Sequence, residues 1–443
     1  MQMPQRKWVL GVVACGLSLL WLGSACRRPG RTYLESAEEA ARWIAASVVE
    51  SEQGRTWPGV PGDLRTIGNT LYSGTPGVVL FFLELYGATG DETYLAEARS
   101  GADYLLATLE EERFSGLYIG VSGIGFTLHQ MFKATRDEKY RDGVDRCIRH
   151  LSGRAEESGR GVQWTDTTDI ISGTAGTGLF LLYLFRERGE GELLDLALRA
   201  GYRLRELAVP EGPGLKWAMD PDFPRLMPNF SHGTAGIAYF LASLHMQTRD
   251  REFLDAALAG ARYLQSIAHT EGDTCLIFHH EPDGEGLYYL GWCHGPVGTA
   301  RLFFRLYEIT GEGEWMDWVE RSARSVLGSG IPDVEHPGFW NNAGICCGSA
   351  GIADFFLSLH RLNGKPEYLD FARSLTAQIL EKASIETSGM KWIQAEHRSR
   401  PDYLQAQTGL MQGAAGIGLW MLRMDAFERG RSIRIALPDD PFH

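Results

Sequence analysis

The chain alternates between two kinds of apolar segment. Stretches such as VVLFFLELY from residue 78, TGLFLLYLF from 177, IAYFLASL from 237 and IADFFLSLH from 352 are apolar nearly all round, which predicts buried helices. Between them lie GDETYLAEARSGADYLLATL, RDREFLDAALAGARYLQSI, GEGEWMDWVERSARSVL and GKPEYLDFARSLTAQIL. These open on polar residues and space their apolar positions three and four apart, predicting amphipathic helices with one wet face. A Gly-x-x-Gly step opens each buried segment. The pairs fall at Gly74/Gly77, Gly120/Gly123, Gly173/Gly176, Gly233/Gly236, Gly295/Gly298, Gly348/Gly351 and Gly413/Gly416, 46 to 65 residues apart, so the chain reads as a sevenfold repeat.

Ser36 and Glu39 form a capping-box pattern ahead of Ala41, Trp43, Ile44, Val48 and Val49, predicting one more helix before the first pair. Seven buried and seven amphipathic helices then predict an all-α fold, an α/α toroid of inner and outer rings over residues 35–430, because closure hides the edge an open solenoid exposes. Residues 26–34 read as a linker and 431–443 as a tail. The glycines read first as structural, since small residues let helix starts crowd a narrow axis. One pair per repeat also puts every pair, and the residues before it, at the same end of the ring.

Composition narrows the class. The chain has 443 residues, 44% of them hydrophobic and 22% charged, and these proportions exclude a disordered or multi-spanning chain. With 43 basic and 56 acidic residues the formal charge is −13, which argues against a nucleic-acid partner, because backbone phosphates need a basic face. Residues 8–25 carry no charge, follow Arg6 and Lys7 and end in Gly23, Ser24 and Ala25 before Cys26. Residues 1–25 therefore read as a signal peptide or membrane anchor, which predicts an exported protein attached at a bacterial cell envelope. The small residues before Cys26 look like a lipoprotein box, although Leu22 stands four rather than three positions before the Cys.

Reactive side chains concentrate at the glycine-pair end. Repeats one, two and seven offer Tyr72 and Ser73, Tyr118 and Ile119, and Met411 and Gln412, none an obvious catalytic group. Repeats three to six offer Asp169, His232, Cys293 with His294, and Cys346 with Cys347, each one to four residues before its pair. Cys293, Cys346 and Cys347 stand at equivalent positions of adjacent repeats and can converge on one point, and thiolates about 2.3 Å from a tetrahedral centre suit zinc. A catalytic zinc keeps its fourth position open, and His294 competes for it. A disulfide between vicinal Cys346 and Cys347 is disfavoured, because neighbouring Cα atoms lie about 3.8 Å apart against a usual minimum of about 4.4 Å. Cys147 and Cys275, away from the pairs, read as buried hydrophobes. Asp169 could cap the helix that starts near Gly173, and His232 could be a structural histidine. His279 and His280, in turn-rich HHEPDGEG, read as solvated loop residues. Asp354, in an apolar inner helix, faces the central channel without an assigned role.

The glycine repeat with SHGTAG at 231–236, GWCHGPVG at 291–298 and CCGSAG at 346–351 resembles the lanthionine synthetase C-like (LanC-like) cyclases, over roughly residues 35 to 430. In that family two cysteines and a histidine usually hold Zn2+. Cys347 stands where the histidine would be, a three-thiolate variant that some lanthipeptide synthetases share. The resemblance implies addition of a cysteine thiol to dehydroalanine or dehydrobutyrine to give a thioether. It maps the family's acid-base histidine onto His232 and its conserved aspartate onto Asp169, while His294 matches the LanC-like branch. His232 is thus the expected proton donor supported by Asp169, with His294 a second candidate for donating a proton or steadying enolate charge. The expected partners are a dehydrated peptide or protein and a glutathione-like thiol. No dehydratase or kinase region accompanies the cyclase-like part, so another protein would supply the dehydroamino acids. Two alternatives stay open: a non-catalytic zinc-containing peptide-binding lipoprotein, and a carbohydrate-active enzyme on a similar toroid, which would need opposed carboxylates.

Overall fold

The computed structural model describes residues 31–442 apart from 221, 224 and 335. The apolar N-terminal segment and Cys26 lie outside the described residues. Among the described residues no helix is long and apolar enough to cross a membrane.

Among the described residues fourteen α-helices form an α/α toroid. The inner ring comprises α2 (Thr75–Thr89), α4 (Val121–Thr135), α6 (Thr174–Arg188), α8 (Thr234–Thr248), α10 (Pro296–Thr310), α12 (Ser349–Asn363) and α14 (Ala414–Glu428). The outer ring comprises α1 (Tyr33–Ala45), α3 (Glu92–Thr108), α5 (Glu138–Gly153), α7 (Gly191–Glu206), α9 (Arg251–Ile267), α11 (Gly313–Gly328) and α13 (Pro366–Glu381). Each inner helix forms a hairpin with the outer helix that follows it, and α1 packs on α14 to complete the outer ring.

The first glycine of every pair is the N-cap of an inner helix. The second sits one turn in, where the incoming backbone passes so close that a Cβ at Gly176 or Gly298 would collide with the Ile170 or Trp292 carbonyl. The structural reading of the glycines therefore holds, and their chemistry is close approach. The helix cap at the N-terminus differs from expectation. Thr32 and Glu35, not Ser36 and Glu39, form the capping box. The helix thus starts at Tyr33, inside the stretch read as a linker, and Ser36 is buried and bonded to the Thr32 carbonyl.

Short hairpins, which the helical periodicity does not register, connect several outer helices to the next inner one. They are β1 (Val49–Ser51) with β2 (Gly54–Thr56), β3 (Glu156–Ser158) with β4 (Gly161–Gln163), β5 (Val209–Glu211) with β6 (Gly214–Lys216), and the antiparallel sheet β7 (Ala383–Glu386), β8 (Gly389–Ala395) and β9 (Leu404–Ala406). Each carries a Gly-x-x-Trp step, at Gly54/Trp57, Gly161/Trp164, Gly214/Trp217 and Gly389/Trp392. The indole N–H groups of Trp164, Trp217 and Trp392 donate to the Leu151, Leu204 and Ile379 carbonyls at 2.6–2.8 Å, covering the end of the preceding outer helix. The glycine meanwhile lies against the backbone of the next outer helix, as Gly161 does against Arg199 and Gly389 against Glu39. Each hairpin therefore bridges two outer helices.

A closed ring of backbone hydrogen bonds crosses the rim. Amide groups donate from Tyr72 to Tyr118, Tyr118 to Ile171, Ile170 to Ser231, Ser231 to Cys293, Cys293 to Cys346, Cys346 to Met411 and Met411 back to Tyr72, at 2.8–3.3 Å. These buried peptide groups find partners only because the seventh repeat meets the first. At the opposite end the tail folds into the axis. Asp439 is fully buried, accepts from the Tyr118 hydroxyl at 3.1 Å and lies against Arg301, while Phe442 packs on Phe304 and Phe355. An axial cavity of about 90 Å³ remains between this tail and the floor of Tyr118, Trp292 and Met411. Asp354 lines it, as expected of a channel residue, and pairs with Arg423 at 2.8 Å.

Candidate active site

The rim register sets the site. Residues two before each first glycine carry the backbone ring, so residues one before it, His232, His294, Cys347 and Gln412 in four successive repeats, project toward the mouth. All four line a cleft of about 530 Å³ together with Cys293 and Cys346. Asp169 sits beneath it, fully buried.

The three cysteines converge. Cys293 Sγ lies 3.0 Å from Cys347 Sγ, Cys347 Sγ lies 3.4 Å from Cys346 Sγ, and all three sulfurs fall within 4.8 Å of one another. Ligands about 2.3 Å from a tetrahedral centre stand about 3.8 Å apart, so this donor set fits zinc with its remaining side facing the cleft. Burial pushes the Cys293 thiol well up and the adjoining thiols push Cys347 well up, while those same groups donate to Cys346 and hold it well down. Among the three, Cys346 is the thiol whose ionised form its neighbours favour. A divalent cation would let all three ionise. Cys147 and Cys275 are buried elsewhere, as expected, and burial raises both thiols.

His232 and Asp169 meet. His232 Nδ1 lies 2.5 Å from Asp169 Oδ2, while Asp169 Oδ1 accepts the Ser172 and Gly173 amides at 2.8 Å each. Asp169 thus caps the start of α6 and orients His232 at once. Burial disfavours charge on the imidazole, but the Asp169 carboxylate more than offsets this and holds His232 above its ordinary pKa. The other His232 edge is open to the cleft, its side chain 30% exposed.

His294 stands behind, its ring 5.6 Å from that of His232 and 4.0 Å from that of His279. Burial, then the His279 and His232 imidazoles, push it well below the usual range, so it is neutral at ordinary pH. Its Nδ1 is buried without a hydrogen-bond partner among the described residues. The reading of His279 as a solvated loop residue is corrected here. The isolated bridge between Leu226 and Glu281 and the His279 amide bond to the Leu287 carbonyl fold the turn inward. His279 is thereby stacked on His294, and burial lowers it to about 3. His280 lines the same cleft.

Four further cleft residues were not singled out from sequence as site residues. Tyr289 packs its ring against His279 and Trp340. Arg398 arrives on the loop after β8 and lines the same cleft as Tyr289. Tyr72 and Gln412 line the cleft beside the sulfurs. Gln412 Nε2 donates to the Tyr72 hydroxyl at 3.0 Å and lies 3.9 Å from Cys347 Sγ. Their register was legible. Their chemistry was not, because neither titrates near neutral pH.

Known proteins bear out this frame. LanC-like protein GCL1 of Arabidopsis thaliana is 26% identical over 281 residues, 61% of this chain and 58% of that protein's length. The protein of Danio rerio named glutathione S-transferase LANCL1 is 18% identical over 311 residues, 68% of this chain and 72% of its own. Among solved structures, nisin cyclase superposes with a TM-score of 0.61 at 18% identity, covering 88% of this chain and 93% of that one, which establishes the shared fold. The family model described as lanthionine synthetase C-like protein matches residues 66–434. The chain belongs to the lanthionine synthetase C-like family.

Proposed function

We propose that this protein is a zinc-dependent enzyme that forms thioethers by adding a thiolate to dehydroalanine or dehydrobutyrine in a peptide or protein. The observation that carries the reading is one cleft in which three sulfurs lie within 4.8 Å of one another beside a histidine paired at 2.5 Å with a buried aspartate. Cys293, Cys346 and Cys347 would hold the metal. Zinc, when bound there, would supply Lewis acidity that keeps an incoming thiol as the nucleophilic thiolate at neutral pH. The sulfur attacks the β-carbon, the C=C π pair moves toward the carbonyl, and the α-carbon takes a proton. The proton lost by the thiol balances the one delivered. His232 is the donor, its protonated form favoured by Asp169 and its free edge open to the cleft. Neutral His294 faces the same space and can donate a hydrogen bond to the developing oxyanion.

The thiol belongs either to the dehydrated peptide itself or to a small glutathione-like molecule, the second supported by similarity to the zebrafish protein named a glutathione S-transferase. Residues 1–25 support attachment at the cell envelope. The carbohydrate-enzyme alternative needs two opposed carboxylates, whereas Glu396 is the acidic side chain lining the cleft.

The test is zinc content of the full chain, purified reduced and without chelator, beside Cys346→Ala, followed by glutathione addition to a dehydroalanine peptide read by mass. About one zinc per chain, lost in the variant, with adduct formed by the parent alone, supports the reading. Zinc absent from both sinks it. Zinc retained without turnover on either thiol would leave a binding protein.

A further inference from the structure

The wall of the cleft is uneven. On the side of repeats four to seven the connections that precede the inner helices rise to line it, through Arg225, His279, Tyr289, Trp340, Glu396 and Arg398. On the side of repeats one to three it is lined by Tyr72, Ile119 and Ile171, each within two residues of its glycine pair, and among the described residues no other part of those three connections reaches it. Chain length sets where that side is lowest. The connection from α3 to α4 runs for 12 residues, 109–120, whereas the other six run for 20 to 32. It is also held down along its length. Leu109–Glu111 form a single 3-10 turn, Arg154 Nη1 donates to the Glu112 and Arg113 carbonyls at 3.4 and 3.2 Å, and Ser115 bridges Gly120 in a tight reversal whose Gly116 lies against the Ser172 backbone. Repeat two therefore leaves a notch in the rim with Ile119 at its inner end. Phe114 within it is 54% exposed, and Leu64 on the neighbouring repeat-one connection is 63% exposed.

We propose that this notch is the gate through which a polypeptide substrate enters the cleft, its chain crossing repeat two over Ile119 and Phe114 while the dehydroresidue lies between His232 and the sulfurs. The proposal rests on the thioether reading of the site and names the substrate as an extended polypeptide rather than a free dehydroamino acid. A cleft of about 530 Å³ has the size of a site for one small molecule. It takes the reacting residue and its immediate neighbours, so the rest of the chain has to leave over the rim. Leaving over repeats four to seven would displace walls already packed together, as Tyr289 is on His279 and Trp340. Leaving over repeat two displaces nothing, and Phe114 gains a partner there. An aromatic ring held in water at the opening is an anchor for apolar side chains of the arm that passes it.

Two measurements on the full chain test the gate. A peptide about 15 residues long, up to ~50 Å when extended, carries a central dehydroalanine and a diazirine side chain on each flank, and after irradiation the labelled segment is identified by mass spectrometry. Label within residues 112–120 supports the gate. Label confined to 225–228, 279–289 or 396–404, or no label at all, overturns it. Glutathione addition to the same peptide without diazirines is then compared with addition to a capped dehydroalanine amide, which is short enough to need no exit. Phe114→Asp should lower the ratio of kcat/KM for peptide over capped residue roughly tenfold. Val209→Asp, at a position 49% exposed on the repeat-four connection, should keep the parent ratio. A parent ratio in Phe114→Asp overturns the gate while leaving the thioether reading standing. A parent chain that adds glutathione to neither substrate overturns both.

Discussion

Asp169 divides its two oxygens between a helix N-terminus and His232, so its two candidate roles are one geometry. Asp169→Asn keeps an oxygen for the Ser172 and Gly173 amides but removes the charge that raises the His232 pKa. The active form is the imidazolium. Thiol addition therefore falls as pH rises through the raised pKa, and in Asp169→Asn the alkaline limb of the kcat/KM profile shifts to lower pH. A profile unmoved by the substitution would exclude His232 as the titrating donor. His232→Gln, which cannot supply a proton, should slow addition by about 10²-fold or more while zinc content stays at the parent level, measured on one preparation. Three cysteines, His232, Asp169 and His294 were all legible as residues, because each occupies a fixed offset from a glycine pair. His279 was not, since its inward stacking depends on a turn that no local pattern announces.

At the scale of elements, the Gly-x-x-Trp hairpins are recurrent in the sequence yet invisible to a search for helical period, because three-residue strands carry no periodicity of their own. Their physical role makes a paired prediction. Trp217 donates to the Leu204 carbonyl at 2.6 Å, whereas the equivalent indole nitrogen of Trp57 is buried without a partner among the described residues. Phe in place of either leaves a similar gap, so the difference isolates the hydrogen bond. Trp217→Phe should destabilise by about 1 kcal/mol more than Trp57→Phe in denaturant unfolding. Equal losses would mean that the tryptophans act by volume alone. The helix-start glycines are the opposite case, plain in the sequence and decisive in packing. Gly298→Ala forces a Cβ into the Trp292 carbonyl, where Gly286→Ala meets open space. The first should cost about 3 kcal/mol or more and the second almost nothing, by the same measurement.

The whole molecule is a ring closed in three layers: α1 against α14, the central strand β8 of the last sheet against α1, and the rim hydrogen bonds from Tyr72 round to Met411. Its far mouth is closed by its own tail, with Arg301 facing buried Asp439 and Arg423 facing Asp354 and Asp440. Burial raises the Asp439 pKa and Arg301 works against that rise. Arg301→Met would strand the carboxylate without its compensating charge, a loss of about 3 kcal/mol or more, read as a lower Tm with increased binding of an apolar dye. An unchanged Tm would mean that the tail is an ornament on a ring that closes without it.

The sequence by itself determined the number of repeats, the inner and outer character of the helices, the end at which the glycines gather and the residue types placed there, because each depends on short-range period and offset. Only the tertiary structure decided that Tyr72 meets Gln412 across the seam, that His279 stacks on His294, and that the tail fills the axis. Those contacts join positions far apart along the chain, such as Tyr72 and Gln412 or Tyr118 and Asp439. Such distances are set by ring closure, and no local rule of helix or turn carries that information.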